Sequence, residues 1–182
     1  MTKPPPGERP TPQTPDEFID TFLNPAFVLW RDKLNSKLLA ICAVSQLDIL
    51  VEVVFNHLEA QGRQLADSGS DYRVDLGKRR RPLALVSDAH DTHKHGALRD
   101  KKNVRLITRG QGQLRTAGTA LFWGYKPLSQ KRFFGKTDTS FVLNDGSIVS
   151  ARTIIGEGIS AWNDEFVDLS LPYRLAIPRR EE

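Results

Sequence analysis

Between Asp88 and His95 the chain reads DAHDTHKH, three histidines and two aspartates in eight residues of a chain with only 4 histidines. Residues of these types support three chemistries. His90 and His93, three apart on a helix, could reach one metal ion if a carboxylate from another element completed the set. The pattern is not HExxH, however, and Cys42 has no second cysteine to join it. Acid–base work is the second option. Asp91 and His95 lie one helical turn apart, and an aspartate so placed can fix a histidine's tautomer and raise its basicity. That makes Asp91 and His95 the candidate catalytic pair, although the same spacing also describes an ordinary helix-surface pair.

Phosphate contact is the third option. The run Lys78-Arg79-Arg80-Arg81 precedes the histidine segment, and Arg99, Lys101 and Lys102 follow it, with Lys94 between. Arginines beside a helix start suit phosphates. No GxxxxGK[ST] loop is present, so this is not a P-loop. Further on, LFWGYKPLSQKRFFGK interleaves Phe122, Trp123, Tyr125, Phe133 and Phe134 with Lys126, Lys131 and Arg132. Stacking rings and cations together suit single-stranded nucleic acid. The net charge of +4 favours a polyanionic partner without requiring one. No cofactor is implied.

These residues need elements to position them. The 182 residues suit one domain. Residues 1–13 are proline-rich and are expected to be a disordered arm; 14–170 form the globular domain and 171–182 an irregular tail. Thr14-Pro15-Asp16-Glu17 is a helix start, with a cap, a first-turn proline and acids. This first helix should end near Leu23. Asn24-Pro25 repeats the signal, and Ala26 to Gly62, free of proline and internal glycine, is predicted as one long central helix. Its polar stripe, Ser45, Asp48, Glu52, Asn56 and Glu59, is either a solvated edge or faces the histidines.

Ala66 to Arg81 is expected to be a loop, and Arg80 to Ala97 a helix. At 100° per residue, Leu83, Val86, Ala89, His90, His93 and Ala97 share one face. Asp88, Asp91 and His95 fall opposite. On that reading His90 and His93 are core residues, and Asp91 and His95 face a ligand. Two to five antiparallel strands are expected over about 104–152, where Asp145-Gly146 signals a hairpin. Helical spacing returns through Ile155, Ile159, Trp162 and Phe166. The fold class is therefore α+β: a helical bundle, a small antiparallel sheet and a C-terminal helix.

The segment Leu38–Phe55 is apolar but contains Gln46, Asp48 and Glu52, so a buried helix is expected rather than a membrane span. No signal peptide is evident, and the lone cysteine points to a reducing, cytoplasmic setting.

DAHDTHKHGAL resembles the D-x-A-D-A-x-K-H-x-x-L segment of small uncharacterised bacterial proteins. These have a long amphipathic helix before it and a DG hairpin after it. On that match Asp88, Asp91, Lys94, His95 and Leu98 carry over, while His90 replaces an alanine. LNDGS and AWNDEF also look like that pattern. More remotely, the helical half resembles HEPN domains, common in RNA-cleaving toxins and defence systems. Their ribonuclease motif has four to six residues between an arginine and a following histidine, whereas eight residues separate Arg81 from His90. The resemblance thus implies RNA or single-stranded DNA as partner, or a nucleotide, without the family's cleavage motif. Two other readings remain open: a phosphodiester hydrolase, and a non-enzymatic protein that forms a homodimer through its long helix.

Overall fold

The computed structural model describes residues 14–96, 98, 105–108, 113–117 and 138–177. Thr14 caps the first helix in a full capping box: its hydroxyl accepts from the Glu17 amide, and the Glu17 carboxylate accepts from the Thr14 amide. The helix does not stop at Leu23. α1 (Pro15–Phe18) passes through a π-helical turn (Ile19–Leu23) into α2 (Asn24–Asp32). Asn24 has helical angles, and its side chain donates back to Asp20 rather than capping a new start.

The expected single helix from Ala26 to Gly62 is two helices. The chain breaks at Lys33–Ser36, and Ser36 caps α3 (Lys37–Ala60) through the Leu39 amide. The break follows from this local capping, and Phe27 and Trp30 of α2 are buried in the bundle. α3 is the central element. It is long and apolar enough to cross a membrane, and 12 of its 24 residues are buried in the bundle. One of them is Asp48.

The expected loop at Ala66–Arg81 is largely a helix, α4 (Gly69–Arg79). Ser68 caps it by accepting from the Asp71 amide. A Cβ at Gly69 would run into the Glu52 carboxylate, which would have to move aside. α5 (Arg81–His95) follows after one residue, with Pro82 in its first turn, and ends at Gly96 in a positive-φ conformation.

The sheet has three antiparallel strands in the order β1 (Leu114–Ala117), β2 (Asp138–Val142), β3 (Ile148–Ser150). Leu114 pairs with Phe141, and Phe141 with Val149. At the hairpin, the Gly146 amide donates to Leu143 O at φ +85°, and the Asp145 carboxylate accepts from Ser147. Ser150 then caps α6 (Ala151–Asp168). Trp162 of α6 is fully buried and donates to Leu47 O of α3, joining the two helices. Residues 171–177 have no regular structure, yet Leu175 is buried and exchanges two hydrogen bonds with Asn163. The architecture is α+β, a helical bundle around α3 with a small antiparallel sheet and a closing helix.

Candidate functional site

α5 carries or borders every described site residue, and three polar assemblies meet it. The first fastens the chain that crosses it. Asp88, buried, accepts from the Leu106 amide at 2.6 Å and from Arg105 Nη1 at 3.1 Å; Asp91 accepts from the same Nη1 at 3.2 Å. Burial pushes the Asp88 carboxyl up, while the amides of Leu106 and Ile107 and the Arg105 guanidinium oppose that rise. The Leu98 amide donates to Thr108 O on the same segment. Asp88, Asp91 and Leu98 therefore hold residues 105–108 against α5. Among the described residues no hydrogen bond joins Asp91 to His95.

The second assembly lies where α3, α4 and α5 meet. Asp48 is 1% exposed. Its Oδ1 accepts from Ser87 Oγ at 2.5 Å; its Oδ2 lies 3.4 Å from Arg73 Nη2 and 3.8 Å from His90 Nε2. Arg73 Nη2 is also 3.4 Å from Glu52. The polar stripe of α3 thus faces the histidine helix at Asp48 and α4 at Glu52. His90 is half-buried; burial lowers its pKa, with Asp48 and Asp91 raising it and Arg73 and Lys94 lowering it.

The third assembly takes up most of the basic run. Glu165, 1% exposed, receives a two-pronged contact from Arg79 (2.8 and 2.9 Å), one from Arg80 Nε (3.0 Å) and one from Tyr72 (3.1 Å). Burial pushes its carboxyl up, but the two arginines overcome this and hold it below the usual range. Tyr72, buried against that carboxylate, has its hydroxyl held well above the usual tyrosine range. Arg80 also reaches Asp168 at 2.6 Å and Asp164 at 3.7 Å, and Lys78 pairs with Asp75 at 2.9 Å. Glu165 was legible as an acid on the apolar stripe of Ala161, Trp162 and Phe166, a position that demands a buried partner. Arg105 gave no comparable signal.

Arg81 is exposed, and no acid lies within ion-pair distance of it among the described residues. It lines a cleft of about 300 Å³ with Arg79, Arg80, Pro82, Glu157, Ser160, Ala161 and Asp164. The cleft sits between the start of α5 and α6. At the far end of α5, His93, Lys94 and His95 are all exposed. This corrects the expectation that His93 belongs to the core. The buried positions are Leu83, Leu85, Val86, Asp88, Ala89 and Thr92, so the inward face is rotated toward Asp88. Polar residues sit inward because partners exist: Thr92 bonds the carbonyls of Asp88 and Ala89.

Arg99, Lys101, Lys102 and the aromatic-cationic stretch from 122 to 134 lie outside the described residues. Among the described residues, no group of three or more His, Cys, Asp or Glu side chains could hold a metal. No family model, curated protein or solved structure matches this chain.

Proposed function

We propose that this chain is an HEPN-like protein that binds nucleic acid or a nucleotide, with the cleft at the start of α5 receiving a phosphate. The observation that carries the reading is the arginine arrangement in that cleft. Glu165 fixes Arg79 from below, and Arg79 still has 48% of its side chain exposed. Arg81 stands beside it with no acid within ion-pair distance among the described residues, and Asp145, the acid it interacts with electrostatically, does not line the cleft. A guanidinium held by a buried carboxylate gives up little further entropy on meeting a ligand. The start of α5 lacks a side-chain cap, so the helix dipole adds to the attraction for an anion there. Arg80, with Glu165, Asp168 and Asp164 around it, acts as a tie to α6 rather than as a ligand contact.

Lys94 and His95 extend the surface about 20 Å along the helix, at 1.5 Å per residue. A single strand laid along α5 could meet both ends. The resemblance in DAHDTHKHGAL supports the same division: its aspartates secure the fold, and its Lys94 and His95 remain exposed.

Fluorescence anisotropy with a labelled single-stranded RNA over a range of salt tests this. Arg81→Gln should weaken binding and reduce the slope of log K against log salt by about 0.7, one phosphate contact to a single strand. Unchanged affinity and slope would remove the cleft from the account.

A further inference from the structure

We propose that His90 is a proton-operated latch: protonation of its imidazole draws Asp48 away from Arg73 and loosens α4 from α3 and α5. The assembly has more hydrogen-bonding capacity than it uses. Three atoms in it are buried without a hydrogen-bond partner: Asp48 Oδ2, Arg73 Nε and His90 Nδ1. Oδ2 stands between Arg73 and His90, beyond hydrogen-bond distance of His90 and only loosely placed against Arg73. A small shift on either side would convert one of these contacts into a short charge-assisted bond.

The neighbours decide which contact wins. α3 presents Asp48 and Glu52, α4 presents Arg73, and α5 presents Ser87, Asp91 and Lys94 to the imidazole and its partners. Asp48 is the fully buried anion of this group, with its side chain 0% exposed; Glu52 lies at the rim with 43% exposed. At neutral pH the imidazole, kept neutral by burial, leaves Asp48 to Arg73. Once protonated, it is a second cation competing for the same oxygen, while Ser87 holds the other. Arg73 has Glu52 as an outer alternative, and His90 has none so near. The pair that holds α4 inward is thereby transferred to the solvent-facing rim.

α4 is the element suited to respond. Its buried residues are only Gly69, Tyr72 and Leu76, and the Glu52 carboxylate occupies the space a Cβ at Gly69 would need. Its other end stays tied through Arg79 to Glu165, so the movement is a loosening of the Gly69–Arg73 turn rather than detachment.

The test is amide hydrogen exchange of the purified protein at pH 7.5 and 5.5, corrected for intrinsic exchange rates, without nucleic acid. The wild type should show severalfold faster exchange in α4 at pH 5.5, with α6 unchanged, and His90→Gln should show none of that increase. Equal α4 protection at both pH values in the wild type, or the same acid loss in His90→Gln, would overturn the proposal. Should His90→Gln not fold, Glu52→Gln serves instead: lacking the outer acceptor for Arg73, it should show a smaller acid response, and an undiminished response would also overturn the proposal.

Discussion

Single side chains in this protein divide between those that secure the fold and those left to meet a partner. Glu165 belongs to the first group. It anchors Arg79, Arg80 and Tyr72 from a buried position. Glu165→Gln removes the charge and leaves two guanidiniums facing a neutral amide. The expected loss is about 2–3 kcal/mol in urea unfolding, below the usual figure for a broken buried pair because Arg79 is half exposed. The pH dependence has a definite sign. Glu165 is held below its ordinary pKa in the folded state, so its contribution is complete above the unfolded value of 4.5 and is lost as pH falls through the lower, folded value. His90, also lowered, acts in the same sense but in a higher pH window: the unfolded chain takes up its proton first, and stability declines as pH falls below 6.5. His93→Ala should change stability by no more than about 0.5 kcal/mol, because the side chain is exposed. A melting loss of several degrees would mean that the turn at His93 packs more closely than described.

Elements were readable from the sequence where caps and periodicity agreed. Thr14 with Pro15, the Asp145-Gly146 hairpin and the apolar spacing of α6 each specified its own local structure. α4 was not readable, because its segment GSDYRVDLGKR contains two glycines and buries only one turn's worth of side chains per face. Its stability comes from Tyr72 meeting Phe55 and Glu165, contacts far away in sequence. The break before α3 was missed for the opposite reason: one serine outweighed a long stretch of good helix formers. Ser36→Ala should therefore cost about 1 kcal/mol, measured by thermal or urea unfolding. Gly69→Ala should not give the stabilisation that helix propensity alone would suggest, since its methyl would have to displace the Glu52 carboxylate. A stabilised Gly69→Ala would show that Glu52 swings aside freely. In α5 the periodicity located the helix, but its inward face could not be fixed, because Asp88 and Thr92 become acceptable inside only once Leu106 and the helix carbonyls supply partners.

Across the whole molecule, α5 is held on three sides: by Arg105 and Leu106 at Asp88, by α3 through Asp48, and by α6 through the Arg79–Arg80–Glu165 network. Rigid support of this kind places the start of the helix, and the cleft beside it, at a fixed distance from its exposed end. The sequence identified the helix and its basic flanks; it could not show that Arg80 would be taken up by acids of α6 while Arg81 would not. The central claim is that the cleft between α5 and α6 receives a phosphate group. A two-dimensional amide NMR titration of the labelled protein with a short single-stranded RNA tests it most directly. The account expects saturable shifts at Arg79, Arg81 and Leu83 and at Glu157, Ser160 and Asp164, all weakened in Arg81→Gln. Shifts confined to surfaces away from both ends of α5, or none at RNA concentrations that saturate binding, would contradict it.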